Sequence, residues 1–214
     1  YLEGDRVLCA PRELYRLSDM TETNCDLLVV AGPTRDFLEE EVEVLRRYIT
    51  QGGRAFILID PNSDCQSIPK LLTSCNINVG DDVTVDPTTR IAGTGWFDLV
   101  IPDYPGHEIT KNLDSLSIFY MARSITEINH ENRDYVVTPF LQTTSDGWGE
   151  TKYQGTSYHF DEKTDLGGPV SIGAAVENRR SGMRLVVIGD ADFADNFYAE
   201  RPISNRDIFL NACN

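Results

Sequence analysis

The fold is decided by residues 25–60, which read CDLLVVAGPT (25–34), RDFLEEEVEVLRRYITQGG (35–53) and RAFILID (54–60). Residues 27–31 are a short, continuously apolar run with β-branched side chains, and Gly32 and Pro33 close it. This pattern is typical of a strand that is buried on both of its faces.

The middle of this stretch predicts an amphipathic helix. Its apolar side chains recur at steps of four, three and four residues: Leu38, Val42, Leu45 and Ile49. Acidic residues 39–41 lie near its start and basic residues 46–47 near its end, which suits the helix dipole. Gly52 and Gly53 then offer the left-handed conformation that commonly ends a helix.

A second apolar run at residues 55–59 completes a strand, helix, strand unit. Such a unit is almost always a right-handed crossover between two parallel strands. Because 214 residues also suit one large domain, we predict a single α/β domain over residues 1–214. Its sheet should be mostly parallel, with helices on both faces.

The composition is that of a globular protein with an acidic surface. Hydrophobic residues make up 41% of the chain and charged residues 25%, which argues against disorder. The formal charge of -15 repels phosphate backbones and anionic head groups, so we expect neither nucleic acid nor bare membrane as a partner. No apolar run approaches the roughly 20 residues that a transmembrane helix needs.

The cysteines do not form a metal-binding pattern. The five are Cys9, Cys25, Cys65, Cys75 and Cys213. They contain no C-x-x-C pair and no metal-type spacing to the three histidines. Most of them are expected to be small buried side chains, although Cys65 and Cys75 flank one segment that a disulfide would bridge in an oxidising compartment.

Outside residues 25–60 the pattern is less regular. Residues 6–10 predict a short strand and residues 12–17 a helical turn. Residues 87–115 and 143–168 read as excursions from the sheet, and the second is a long polar loop. Two apolar runs at 169–176 and 184–188, joined by a short polar connection, predict a C-terminal antiparallel hairpin.

Polar side chains follow the predicted strands. In an open parallel sheet, ligands bind where the carboxyl ends of the strands meet. Asp60, Asn62, Asp190 and Asp192 come directly after two such strands, so we expect them to share one rim. Their oxygens suit a hard cation or a sugar, whereas the structural alternative is that these aspartates only form turns and helix caps.

The residues of common catalytic sites are missing. The strand that ends at Asp60 carries no thiol, so there is no nucleophile elbow. His107, His130 and His159 lie in polar loop sequence, where surface histidines are common. No G-x-G-x-x-G or P-loop motif is present, and no cofactor is predicted. Trp148 would either stack on a sugar ring or close the edge of a core.

Several short segments carry a family resemblance. They are CDLLVVAGP (25–33), YITQGGR (48–54), IDP (59–61), HEITKNL (107–113), ARS (122–124), TS (144–145) with Trp148, IGDADFADN (188–196) and NRDIFLNA (205–212). In this order they resemble the extracytoplasmic domain of the auxiliary component of an ABC-type transport system, a family that includes the gliding-motility auxiliary ABC-transporter protein. Glu108 departs from the proline that the family usually has there.

The resemblance implies a flavodoxin-like or class I glutamine-amidotransferase-like sheet without the amidotransferase nucleophile. It also implies a non-enzymatic domain on the periplasmic side of the cytoplasmic membrane, working with an ABC permease and an ATPase. Attachment to the membrane would come from segments outside this chain.

The leading hypothesis is therefore a non-catalytic domain of an ABC-transport auxiliary protein that binds a partner protein or a carbohydrate-like ligand. The residues predicted to contact that ligand are Asp60, Asn62, Asp190, Asp192 and Trp148. The alternative is a metal-assisted hydrolase that uses the carboxylates of Asp60, Asp190 and Asp192.

Overall fold

Short strands dominate the described part of the chain, which contains few helices. A computed structural model describes residues 25–91, 93–128 and 133–214. The strands are β1 (Leu28–Ala31), β2 (Arg54–Leu58), β3 (Ile77–Val79), β4 (Val83–Val85), β5 (Asp98–Ile101), β6 (Ser117–Tyr120), β7 (Ile125–Glu127), β8 (Tyr135–Gln142), β9 (Trp148–Glu150), β10 (Leu166–Gly167), β11 (Ser171–Asn178) and β12 (Arg184–Ile188). The helices are α1 (Glu39–Thr50), α2 (Ser67–Thr73), α3 (Asn196–Ala199) and α4 (Asn205–Cys213), with a 3₁₀ turn at Asp192–Ala194. The strand and helical turn predicted before residue 18, with Cys9, and the loop histidine His130 lie outside the described residues.

The largest sheet has five strands in the order β1-β2-β12-β11-β8. β1 pairs with β2 and β2 with β12 in parallel, whereas β11 pairs antiparallel with both β12 and β8. The predicted C-terminal hairpin is therefore confirmed as β11 and β12. Its second strand lies beside β2, which brings the carboxyl ends of three parallel strands together.

The predicted fold class is wrong. The described chain is mostly β, with several small mixed and antiparallel sheets and 19% helix, and it is not a flavodoxin-like or amidotransferase-like α/β fold with a mostly parallel sheet. The three smaller sheets, β10-β9-β4, β3-β7 and β5-β6, are antiparallel throughout. The reason is that the chain after β2 continues through short strands that pair with distant segments, and not through further strand, helix, strand crossovers.

The crossover from β1 through α1 to β2 is confirmed, including the end of its helix. Gly52 has a φ of 104°, its N–H donates to the Ile49 carbonyl at 3.2 Å, and the Gly53 N–H donates to the Tyr48 carbonyl at 3.0 Å. These are the two hydrogen bonds of a Schellman motif. Leu38 is an exception to the predicted apolar stripe, since it precedes α1 and is 64% exposed.

Two hydrophobic clusters cover the two faces of β2. Ala55 and Ile57 pack in a cluster that includes residues of α1 and α2. Phe56 and Leu58 point the other way, into a cluster that contains Phe193 of the 3₁₀ turn. Because β2 is buried on both faces, its close packing holds the segment that follows Leu58 in a fixed position.

The two predicted excursions contain regular structure. The first, 87–115, contains β5, which pairs with β6 just beyond it, and the second, 143–168, contains β9 and β10, which form a small sheet with β4. Cys65 and Cys75 are both buried and both have free thiols, so no disulfide joins them. In the described part of the chain, no helix is both long and apolar enough to cross a bilayer.

Candidate functional site

Three neighbouring parallel strands end at one edge of the large sheet. The Cα partners are Ala31 with Leu58 and Leu58 with Ile188, so β1, β2 and β12 finish side by side. The segments that follow are held together, because the backbone N–H of Ala191 donates to Asp60 Oδ1 at 2.6 Å. The structure thus brings Asp60, Asn62, Asp190 and Asp192 to one place, which we call the strand-end rim.

Asp190 is the buried centre of the rim. Its side chain has 0% exposure, its Oδ2 accepts the Tyr120 N–H at 2.9 Å, and its Oδ1 accepts the Phe193 N–H at 3.2 Å. Burial raises the pKa of Asp190 to about 7; the nearby charges of Asp60 and Asp192 act in the same direction, and the two N–H donors oppose them. Asp190 therefore joins β12, β6 and the 3₁₀ turn and holds a proton at mildly acidic pH.

Asp60 lies between this buried centre and solvent. Burial raises the pKa of Asp60, as does the charge of Asp192, whereas the Ala191 N–H and the Arg123 cation lower it. Asp192 itself is exposed, at the start of the 3₁₀ turn. The rim thus contains an inner carboxyl group, that of Asp190, which is buried, and an outer carboxylate, that of Asp192, which is exposed to solvent.

Arg123 is a rim residue that sequence reasoning did not assign. Its side chain is only 6% exposed, and its Nε donates to the Gly80 carbonyl at 2.7 Å and its Nη1 to the Asp60 carbonyl at 3.2 Å. Its backbone N–H also donates to the Gly189 carbonyl at 2.8 Å. Arg123 consequently ties the end of β2, the turn after β3 and the end of β12 to one another. The sequence feature that could have indicated Arg123 is the ARS triplet at residues 122–124, in which an arginine stands between two small residues.

Next to Arg123, a second buried carboxylate supports the same corner. Asp82 is 5% exposed and accepts the Ser124 backbone N–H at 2.8 Å and the Ser124 hydroxyl at 2.7 Å. Burial raises the pKa of Asp82, and the bonds from Ser124 and the charge of Arg123 lower it. Asp82 and Ser124 therefore form a buried, hydrogen-bonded pair next to Arg123, and the two charges of Asp82 and Arg123 attract each other.

The outward side of the rim presents three different chemical groups. Asn62 is exposed, with its Nδ2 3.9 Å from the sulfur of Met121. The neighbouring Tyr120 is 45% exposed, and Asp192 is exposed as well. An amide, an aromatic ring and a carboxylate are therefore available to a partner.

Trp148 is not part of the rim. It is 6% exposed and packs with Val85 and Tyr158 in the core of the small sheet that β4, β9 and β10 form. Its Nε1 donates to Glu150 Oε2 at 3.2 Å, so the polar edge of the ring is already satisfied. The ring closes a core, which is the alternative that the sequence left open for Trp148.

The rim carboxyl groups do not form a metal-ligand set. Both oxygens of Asp190 accept backbone N–H donors, and Asp60 Oδ1 accepts a third. Among residues 25–91, 93–128 and 133–214, no group of three or more His, Cys, Asp or Glu side chains is placed to hold a metal ion. Asp60, Asp190 and Asp192 therefore do not form the metal-ligand group that the predicted hydrolase alternative would need.

A hydroxyl and an imidazole do meet elsewhere in the chain. Ser157 Oγ lies 3.3 Å from His159 Nε2, and both residues are exposed in the connection between β9 and β10. His107 stacks on Phe140 at 5.5 Å, and its Nδ1 accepts the Ile109 N–H. In the described structure neither histidine is hydrogen-bonded to a carboxylate that would orient it as a catalytic base.

Comparison with known proteins gives a family match. The family model described as an ABC-type uncharacterized transport system matches residues 12–212. No curated protein matches the chain.

Two solved structures resemble the chain in fold. The mmIFT52 N-terminal domain superposes with a TM-score of 0.66 at 18% identity, covering 95% of this chain and 83% of that one. A cytoplasmic protein from Salmonella typhimurium superposes with a TM-score of 0.53 at 10% identity, covering 96% of this chain and 75% of that one. At these identities the likeness concerns the fold alone.

Proposed function

Because the chain belongs to the family of ABC-type transport system auxiliary components, we propose that it is a non-catalytic domain whose strand-end rim binds a protein of that transport system. One observation carries this proposal: the rim is braced from within by Asp190 and Arg123 and presents exposed groups on its outer side. A preformed surface of this kind suits recognition, because little ordering is needed on binding.

The same proposal places the domain on the extracytoplasmic side of the membrane. Its support is the set of segments that resemble the extracytoplasmic domain of this family, from residues 25–33 to residues 205–212.

A carbohydrate-like ligand is a second candidate, and Tyr120 favours it. Sugar rings stack on exposed aromatic side chains while their hydroxyls bond to carboxylates and amides. Tyr120 offers such a ring at 45% exposure, one residue from the methionine that contacts Asn62. A ligand of this class would use Tyr120, Asn62 and Asp192.

Association with the transport system is tested by affinity capture of the intact gene product from mild detergent. We expect the permease and the ATPase to be recovered with the wild-type protein and about tenfold less with Asp192→Lys, because a reversed charge on a contact surface removes a pairing and adds repulsion. Glu40→Lys, which makes the same charge change at an exposed position on α1, is the matched control and should recover both subunits normally. Capture without either subunit from the wild type would refute the proposal.

A further inference from the structure

A concave surface lies next to the rim, near the C-terminal end of the chain. It has a cavity volume of about 960 Å³ and is bordered by residues 112–115, by the segment from Phe193 to Ser204 and by α4. This is within the range of roughly 300–1,000 Å³ that ligand pockets occupy. We call it the C-terminal groove.

The groove has an apolar floor that continues from the rim. Phe193 is fully buried, and Phe209 and Leu210 from α4 line the same cavity. The Phe193 N–H is one of the two donors to Asp190, so the floor begins where the rim ends. An apolar side chain that enters the groove would therefore contact Phe209 and Leu210, which are partly exposed, whereas the Phe193 ring behind them belongs to the core.

The walls of the groove are fixed by hydrogen bonds between distant segments. The Ser204 hydroxyl donates to the Ser115 carbonyl at 2.7 Å. The buried side chain of Asn205 accepts the Ile118 N–H at 2.9 Å and donates to the carbonyls of Ile118 and Phe193 at 2.7 and 3.1 Å. Such contacts keep the groove open in one shape, which lowers the entropic cost of binding.

Three of the five charged side chains that line the groove are acidic. Asp114, Glu200 and Asp207 line it, and none of them makes an ion pair with another residue in the described part of the chain. Of the two arginines, Arg201 is stacked with its guanidinium carbon 3.9 Å from the centre of the exposed Phe197 ring. Arg206 is the other, so carboxylates outnumber guanidinium groups in a chain whose formal charge is -15.

We propose that the C-terminal groove binds an extended segment of a partner protein in which apolar and basic side chains alternate. The apolar side chains would contact Phe209 and Leu210, and the basic ones would pair with Asp114, Glu200 and Asp207. A neighbouring pair of side chains on an extended chain points in opposite directions, which suits a groove with an apolar floor and a charged border. An anionic ligand fits less well, because three carboxylates face it against two guanidinium groups, one of which is already stacked on Phe197.

The test is titration of the 214-residue chain with a fluorescent heptapeptide of alternating lysine and leucine, followed by anisotropy. We expect saturable one-to-one binding that weakens as salt rises, and no binding of the same peptide with glutamate in place of lysine. The Glu200→Lys/Asp207→Lys variant should bind about tenfold more weakly. The control is Glu39→Lys/Glu40→Lys, which makes the same charge change on the exposed first turn of α1 and should leave the affinity within about twofold.

These outcomes distinguish binding of the peptide in the groove from its general electrostatic attraction to an acidic protein. Equal weakening by both charge-reversal variants, or equal binding of the glutamate peptide, would overturn the proposal. Should the groove variant fail to fold, Asp114→Lys in the loop before β6 makes the same test at a position outside α4. Failure here would leave the proposed role of the rim intact, because the rim variants are tested by recovery of the transport subunits.

Discussion

Gly189→Ala is expected to lower the free energy of unfolding by about 3 kcal/mol or more, because the new methyl group has no room. A Cβ at residue 189 would overlap the carbonyl oxygen of Arg123 and lie 2.9 Å from its carbonyl carbon. These are backbone atoms, so they cannot rotate away as a side chain would. The end of β12 would have to leave Arg123, and the bonds from Ala191 to Asp60 and from Tyr120 to Asp190 would be strained with it.

The matched control is Gly106→Ala, in a loop where nothing lies within 4 Å of the added Cβ. This variant should stay within about 0.5 kcal/mol of the wild type. Urea denaturation followed by circular dichroism measures both. An unchanged midpoint for Gly189→Ala would mean that β12 and Arg123 are not packed against each other as described.

The second large effect concerns the pH dependence of stability at Asp190. Because burial raises the pKa of Asp190 to about 7 in the folded protein, from the ordinary 3.8, the native state binds a proton that the unfolded state has released. Its contribution to stability is therefore lost as pH rises from about 4 towards 7. Between pH 5 and pH 8, ionisation of this one group should lower the wild-type free energy of unfolding by about 3 kcal/mol, at roughly 1.4 kcal/mol per pKa unit.

Asp190→Asn removes the titration and keeps the shape. The variant should be less stable than the wild type at pH 5, by about 1–3 kcal/mol, because its NH₂ group faces a backbone N–H that a carboxyl oxygen accepted before. Between pH 5 and pH 8, its free energy of unfolding should then rise by about 3 kcal/mol relative to that of the wild type. Urea denaturation at four pH values gives the comparison.

Asp64→Asn serves as the control, since Asp64 is exposed in the loop after β2. Its stability should follow the wild-type curve at every pH. If the curve of Asp190→Asn also ran parallel to the wild type between pH 5 and 8, the proton would not reside on Asp190.

The sequence predicted the central crossover because its signals are local. The apolar run of β1, the spacing of Leu45 and Ile49 and the paired glycines after α1 all lie within 36 residues that fold against one another. The hairpin strands β11 and β12 were also predicted near their observed positions, because two apolar runs with a short polar connection are likewise a local signal.

What the sequence did not predict is which strands pair. β3 pairs with β7 and β4 with β9, across long separations that no local periodicity reports. Because one crossover was extrapolated to a whole sheet, the predicted fold class was wrong. The segment of Trp148 was interpreted as a loop because of its polar composition, although residues 148–150 form β9 by pairing with the distant β4.

The candidate site was predicted in part. The convergence of Asp60, Asp190 and Asp192 followed from strands that end side by side, and the parallel pairing of β2 with β12 brings them together. Arg123 reaches the rim through contacts with Asp60 and Gly189, and Tyr120 through its contact with Asp190, all of them distant in sequence. Their roles could not be predicted without knowledge of the tertiary pairing.

The central claim, that the strand-end rim is the surface that contacts the transport system, is tested most directly by photo-cross-linking in membranes. A benzoylphenylalanine placed at Asp192 of the intact gene product should cross-link to the permease or the ATPase. The same group at Glu40, on the exposed start of α1, should give no such product. Cross-links from Glu40 but not from Asp192 would contradict the claim.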